Sequence, residues 1–387
     1  KQDSMPLYDA RNVAFKLGML FKAKILLASA TPSLQSYSHA LKGDYDLLQL
    51  KDRINHSLPK ISIIDMTKNI KRTKSYIISE ELKKAISDVL ERKHQIIILL
   101  NRRGYSPIIK CADCNETLMC RDCDIPLSYH NDEHVLKCHQ CGRLYKLIDY
   151  CPNCHSHNLV YYGFGTKKVY ESLKQLFPEA KIERMDRDNT NTKGAHEDIL
   201  NRFERHEIDI LIGTQMIAKG LDFPLVELVG ILNADAGLMH QDYNAAKLTF
   251  DLLMQASGRS GRSEIDGKVL IQAFNVEHYV LKAVLKQDYN YFYNIEMNYR
   301  HRGHYPPYSH IVAIYLSDTS LERLNRSKEI FSELIDTCPY RKYPLTSINK
   351  LNRVHRLRIL VMDADLIAVL RYLTDLINDY LNKKNIS

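Results

Sequence analysis

Along this chain, short strand-length segments alternate with longer stretches of helical periodicity. Segments 61–64, 96–100, 208–212 and 228–232 are mostly apolar and four or five residues long, the mark of strands buried on both faces, and 181–184 is a further strand candidate. Between them, 80–92, 167–176 and 195–206 repeat apolar residues at intervals of three and four, as amphipathic helices do. This alternation predicts an α/β fold with a parallel, doubly wound sheet. Near the N-terminus, 24–28 (KILLA) predicts a strand, Ser29-Ala30-Thr31-Pro32 a loop, and Ser33 the start of a helix. The pattern breaks after Asn101-Arg102-Arg103-Gly104-Tyr105 and resumes after Gly163-Phe164-Gly165-Thr166, so the segment between reads as an insertion. Beyond Pro306-Pro307, alternating Ile311, Ala313 and Tyr315, a helix over 320–335, a strand over 357–362 and a helix over 366–381 predict a small α+β domain.

Composition narrows this picture. The 387 residues are 45% hydrophobic, ample for two or three globular modules. Lys and Arg (54) outnumber Asp and Glu (46), a net charge of +8 that suits an anionic partner without requiring one. Neither a membrane-length apolar run nor a secretory signal pattern occurs, so a cytoplasmic protein is expected. A first residue Lys1 in place of Met implies a fragment of a longer protein.

The insertion carries the most specific chemistry. Eight of the nine cysteines form four Cys-x-x-Cys pairs: Cys111 and Cys114, Cys120 and Cys123, Cys138 and Cys141, Cys151 and Cys154. Each pair offers two thiolates from one tight turn, and zinc takes four in a tetrahedron, so two structural Zn²⁺ ions are expected. A nested grouping is preferred, with Cys111, Cys114, Cys151 and Cys154 on one ion and Cys120, Cys123, Cys138 and Cys141 on the other. Sequential pairing is the alternative, and His130, His134, His139, His155 and His157 are further candidate donors. The ninth, Cys338, reads as a small buried hydrophobe.

Five further segments occur in a telling order: Ser29-Ala30-Thr31-Pro32, the Asn101–Tyr105 run, Gly163-Phe164-Gly165-Thr166 with Met185-Asp186-Arg187-Asp188, residues 213–224 (GTQMIAKGLDFP), and residues 255–262 (QASGRSGR). Together with the cysteine insertion they resemble the PriA family of replication-restart DNA helicases, in superfamily 2, from its third motif onward. The resemblance implies a RecA-like helicase lobe with an inserted double-zinc cysteine-rich module and a small α+β C-terminal domain. It divides the chain into the end of a first lobe (1–50), a linker and the start of the second lobe (51–104), the zinc insertion (105–162), the remainder of the second lobe (163–275), and a connecting helix with the terminal domain (276–387).

By the same resemblance, Arg262 is an arginine finger that meets charge developing on the γ-phosphate, with Arg259 supporting it and Gln255 coupling the site. Asp222, Gly220, Ser29 and Thr31 belong to ATP binding and its coupling, while Thr214, Gly213 and Arg103 face a DNA phosphate. Arg353, His355, Arg356 and Arg358 form a basic approach like the family's DNA-contacting terminal domain. The chain departs from the family pattern at Lys167, Asn244, Lys247-Leu248 and Thr337-Cys338-Pro339. The implied activity is ATP-dependent 3′–5′ unwinding of forked DNA, with ATP and Mg²⁺ as cofactors. The implied partners are forked and single-stranded DNA, primosome proteins and single-stranded-DNA-binding protein, with no membrane. No phosphate loop of the form G-x-x-x-x-G-K-[ST] occurs in the sequence, so the chain is expected to be inactive alone. The competing readings are a nucleic-acid-binding zinc module with a non-catalytic motor lobe, and an RNA helicase of similar plan.

Overall fold

The structure, a computed structural model, describes residues 8–50, 59–73, 75–101, 108–114, 116–120, 126–130, 135–137, 143–162, 165–185, 194–214, 223–239, 242–260, 266–351 and 354–386. The chain divides into two compact units, Lys1–Gln49 and Leu50–Ser387.

In the first unit, α1 (Ala10–Phe21) is capped by the Asp9 carboxylate, which accepts from the Arg11 amide. Helix α2 (Leu34–Leu41) begins at Ser33, as its sequence predicts, with the Ser33 hydroxyl accepting from the Ser36 amide at 3.1 Å. Residues 24–28 do not form the expected strand, and Leu26 is 81% exposed. A strand exists only where its amides and carbonyls find a partner strand, and this unit offers none among the described residues.

The second unit is built on a six-stranded sheet of β1 (Lys60–Asp65), β2 (Gln95–Leu100), β8 (Ile182–Met185), β9 (Ile210–Gly213), β10 (Val226–Leu232) and β11 (Lys268–Ala273). The order is β1-β11-β10-β2-β9-β8, and every pairing is parallel. All six residues of β2 and all four of β9 are buried, so these strands read as continuous apolar runs. Helices α3 (Met66–Thr73), α4 (Glu80–Glu91), α5 (Thr166–Leu176), α6 (Ala195–Glu204) and α7 (Ala245–Ser257) make the crossovers and the linking segments. The start of α4 shows how local signals cooperate: Ser79 caps the Leu82 amide, and Glu80 and Glu81 face the positive end of the helix dipole. The buried Gln272 of β11 accepts from the Ser79 amide at 2.9 Å and donates to the Ile77 carbonyl at 2.7 Å, fixing this turn to the sheet.

The insertion leaves after β2 and returns before α5. It is a five-stranded antiparallel sheet of β3 (Ile108–Cys111), β4 (Ser128–His130), β5 (Val135–Lys137), β6 (Leu144–Lys146) and β7 (Leu159–Tyr162), in the order β6-β5-β4-β3-β7. Among the described residues its buried core is small, Ile109, Leu118, Cys120, Leu127 and Leu136, with Tyr129, Tyr145, Ile148 and Leu159 partly buried against it. So few apolar side chains leave such a module dependent on cross-links or metal.

Helices α8 (Tyr279–Lys286) and α9 (Tyr289–Gly303) lead to the terminal domain. On α9, Arg300 and Glu296 are bonded at 2.7 Å with side chains only 6% and 4% exposed. Arg300 also donates to the Pro306 carbonyl at 2.8 Å, the Tyr243 carbonyl at 3.1 Å and Asn244 Oδ1 at 3.0 Å. The Tyr243 ring stacks on Tyr305 at 5.7 Å, and the Tyr305 hydroxyl lies 3.2 Å from that of Tyr343. One buried arginine and three tyrosines thus bind the lobe, α9 and the terminal domain together. Asn244, where the family pattern has a charged residue, is part of this junction. Lys247, a second departure, pairs with Asp251 one turn along α7.

The terminal domain contains β12 (His310–Asp318), α10 (Leu321–Asp336), β13 (Arg341–Lys342), β14 (Thr346–Leu351), β15 (Val354–Asp363) and α11 (Leu366–Ile386). Sequence pattern predicts β-α-β-α here, and the structure adds β13 and β14, both paired to β15. Helices α10 and α11 pack on one face of the sheet around Leu316, Phe331, Leu357, Ile359, Val361 and Leu373. Cys338 is buried in that same core.

Candidate metal centre and motor edges

The ends of the insertion meet. Cys111 closes β3, Cys114 follows in the same turn, and Cys151 and Cys154 form a matching turn just before β7. The four sulfurs lie within 4.8 Å of one another. Cys111 Sγ is 3.5 Å from Cys154 Sγ, and Cys114 Sγ is 3.6 Å from Cys151 Sγ. Zinc–thiolate bonds of about 2.3 Å place the corners of a tetrahedron about 3.8 Å apart, so these separations are those of ligands around one ion. They are far beyond the roughly 2 Å of a disulfide.

Both turns are built alike. The Cys111 amide donates to the Glu116 carbonyl and the Cys151 amide to the Ser156 carbonyl, each at 2.8 Å. Across them the Ala112 amide reaches the Asn158 carbonyl at 2.8 Å, and the Asp113 carboxylate accepts from Ser156 Oγ and from Asn158 Nδ2. Burial pushes the Cys111 thiol up, but the amides of Cys114 and Asp113 and the neighbouring thiols outweigh it and hold it at about 7. Cys154, in spite of the Ser156 amide, is pushed up to about 12 by the thiols around it. Four bare thiols cannot ionise side by side, and a bound dication removes that conflict. The donor set fits zinc, which all four sulfurs would hold with no position left for substrate, so the ion would supply cohesion here and not chemistry.

Of the second group, Cys120 is buried with its sulfur 3.1 Å from the Tyr145 hydroxyl. Cys123, Cys138 and Cys141 lie outside the described residues.

The parallel sheet presents two opposite edges. At the C-terminal edge, where α/β proteins receive ligands, Gly213 ends β9 with Thr214 next to it, and Asn101 follows β2. Asn101 Nδ2 donates to the Ala234 carbonyl at 2.8 Å. A Cβ on Gly237 would come within 2.5 Å of Thr249 Oγ1 and 3.0 Å of Asn101 Nδ2, so a larger residue there would displace this contact. Asp235, beside Ala234, is 2% exposed. Its Oδ2 accepts from the Phe274 and Asn275 amides at 3.0 and 2.7 Å, whereas Oδ1 has no hydrogen-bond partner among the described residues. Burial raises this carboxyl above its ordinary value, against the pull of those amides. Sequence pattern does not single Asp235 out. The signal was present in NADAG, polar residues placed directly at the end of an apolar strand.

Helix α7 carries the chain back to the N-terminal edge. Its 13 residues span about 20 Å. Gln255 is exposed near its end and Arg259 is half-buried just past it. The buried Ser260 hydroxyl donates to the Glu227 carbonyl at 2.8 Å, tying this segment to the start of β10. The structure therefore brings Gly213 and Thr214 together on one edge and sets Gln255 and Arg259 at the other. Ser29 and Thr31 belong to the first unit, where the Thr31 amide donates to Ser29 Oγ at 3.1 Å. Arg103, Gly220, Asp222 and Arg262 lie outside the described residues.

Residues 140–264 match the family described as the helicase conserved C-terminal domain, and residues 120–144 match the PriA DNA helicase Cys-rich region. Replication restart protein PriA of Bacillus subtilis (strain 168) is 42% identical over 318 residues, which cover 82% of this chain and 40% of that protein. The PriA of Rickettsia felis is 37% identical over 371 residues, covering 94% of this chain and 56% of that protein. The chain belongs to the PriA family. It spans about half the length of these relatives. A structure of RecG bound to a three-way DNA junction aligns with 73% of this chain and 28% of its own at 15% identity, with a TM-score of 0.41. The PriA assignment accounts for both parts of the fold, an α/β helicase lobe and a cysteine-rich module set into it between β2 and α5. No helix among the described residues is long and apolar enough to cross a membrane.

Proposed function

We propose that this chain forms the second motor lobe, zinc module and terminal domain of a cytoplasmic, ATP-driven helicase that unwinds forked DNA in the 3′–5′ direction to restart replication. The observation that carries the reading is the position of the insertion. A four-thiolate zinc module emerges from the sheet directly after Asn101, at the same edge as Gly213 and Thr214. A helicase gripping DNA without regard to sequence needs hydroxyls and amides on phosphates. Thr214 and Gly213 supply both where the zinc platform stands.

In this reading the residues around Arg259 act on the nucleotide. Arg262 lends a guanidinium to the γ-phosphate as charge builds on its oxygens, Arg259 supports it, and Gln255 relays the state of the site along α7. Asp222 and Gly220 join them from the preceding motif, and Ser29 and Thr31 couple the first lobe. Arg103 joins Thr214 on the DNA backbone. A second zinc is held by Cys120, Cys123, Cys138 and Cys141. Mg²⁺-ATP is bound jointly with a lobe that carries the phosphate loop. Primosome proteins and single-stranded-DNA-binding protein are the partners, as the relatives' role in restart implies.

Strand displacement by the complete protein tests this. Forks with a 3′ single-stranded loading strand should be unwound on addition of ATP. Unwinding of RNA forks alone would contradict the reading.

A further inference from the structure

Three adjacent strands of the parallel sheet are tied together where they start. Strand β10 enters beside β2 with a register shift between Val226 and Leu228, so Glu227 is an extra residue that β2 does not match. Such a bulge re-aims the side chain it carries. The Glu227 carboxylate is largely buried and meets the residues that join α4 to β2. Its Oε1 accepts from Arg92 Nη2 at 2.6 Å and its Oε2 from Arg92 Nε at 3.2 Å, while His94 Nδ1 lies 2.6 Å from Oε2. Two parallel bonds from one guanidinium fix direction as well as distance. Burial raises this carboxyl, and the Arg92 and His94 partners outweigh it and hold it below its ordinary value.

The same residue holds the turn that follows α7. Ser260 is fully buried, and its hydroxyl donates to the Glu227 carbonyl at 2.8 Å and lies 3.4 Å from the Lys268 carbonyl at the start of β11. Ser260 therefore joins β10 to β11, and Glu227 joins β10 to the entry of β2, its neighbour on the other side. From the helix side, the Gly258 amide donates to the Met254 carbonyl and the Arg259 amide to the Ala256 carbonyl, each at 3.0 Å. Those bonds set the turn relative to α7, and Ser260 sets it relative to the sheet. Arg259 lies between the two anchors, and Arg262 follows Ser260 by two residues in the sequence.

We infer that Glu227 is a positioning residue for phosphoryl transfer: its carboxylate is clamped by Arg92 and His94, and through Ser260 it fixes where Arg259 and Arg262 stand. An ion pair that only decorates the surface needs neither a bulge nor a buried hydroxyl on the same residue. A guanidinium stabilises charge developing on a phosphate only where its nitrogens meet that charge, so a displacement of about 1 Å at the turn is costly. Glu227 acts through the turn and contributes no group to the phosphate itself. Its loss therefore lowers the rate of the chemical step and spares the binding of ATP and DNA. This role rests on the reading of the lobe as part of an ATP-driven motor.

The experiment is steady-state ATP hydrolysis by the complete protein at saturating forked DNA, with kcat and KM measured for Glu227→Ala, Glu227→Gln, Ser260→Ala and the double variant Glu227→Ala with Ser260→Ala. Urea midpoints give the folded fraction by which each kcat is corrected. Glu227→Ala and Ser260→Ala should each lower kcat by roughly 10- to 100-fold, with KM for ATP and fork affinity unchanged. Glu227→Gln keeps an acceptor for Arg92 and should fall between Glu227→Ala and the unaltered protein. The double variant should lose little more than the stronger single one, since both substitutions act on one turn. An unchanged kcat in Glu227→Ala overturns the role, as does a loss that vanishes on correction for folded fraction or losses that multiply in the double variant. Arg262→Ala, measured alongside, tells the two failures apart. If it abolishes hydrolysis while Glu227→Ala does not slow it, the positioning role alone falls. If it leaves hydrolysis intact, the motor reading falls and the positioning role with it.

Discussion

Cys111 Sγ lies 3.5 Å from the sulfur of Cys154, a residue 43 positions further along the chain. Each turn's first cysteine meets the other turn's second, so the two turns close one site and neither holds it alone. The purified chain should contain close to two zinc ions by metal analysis. Cys111→Ser should remove one and unfold the insertion, because structural zinc contributes about 10 kcal/mol or more to such folds. The parallel sheet should keep its circular dichroism signal. A zinc count unaffected by Cys111→Ser would show that these four sulfurs hold no ion.

The Arg300–Glu296 pair should dominate the junction between lobe and terminal domain. Arg300→Ala leaves Glu296 buried without a counter-charge and frees the carbonyls of Tyr243 and Pro306. Loss of one partner from such a pair costs about 3–5 kcal/mol. The urea midpoint should drop accordingly, and limited proteolysis should cut sooner near Pro306. A change below about 0.5 kcal/mol would mean that the pair is replaced by solvent without cost.

Asp235 predicts a pH dependence. Burial raises its carboxyl above the 3.8 of a free aspartate. The folded chain therefore keeps a proton that the unfolded chain has lost, and stability falls as pH rises from 3.8 through the folded value. Asp235→Asn retains an oxygen for the Phe274 and Asn275 amides and carries no charge. Its stability should match the parent below 3.8 and exceed it increasingly above, as read from urea midpoints at several pH values. An advantage that stayed constant with pH would exclude titration as its cause.

What the sequence disclosed follows from how local each cause is. The central strands 96–100, 208–212 and 228–232 declared themselves because both faces are buried, and the cysteine spacing gave zinc directly. KILLA misled because apolar content is necessary for a strand and a pairing partner is not written in the same residues. Strand β11 is absent from the strands that the sequence predicts, although Val269, Leu270 and Ile271 are apolar and the turn pair Asp266-Gly267 precedes them. The junction of Arg300, Tyr243, Tyr305 and Tyr343 could not be read at all, since its members are far apart in sequence. Face assignment in the terminal domain needed the register of β12 against β15, which separates His355 from Arg356 and Arg358.

The most direct test of the motor reading is Arg262→Ala in the protein expressed from the complete gene. DNA-stimulated ATP hydrolysis should fall by on the order of 10³ to 10⁵, while zinc content and fork binding hold. Arg259→Ala should have an equal or smaller effect. Hydrolysis and unwinding at near-normal rates in Arg262→Ala would contradict the account, and would leave a DNA-binding zinc module beside a lobe that does not catalyse.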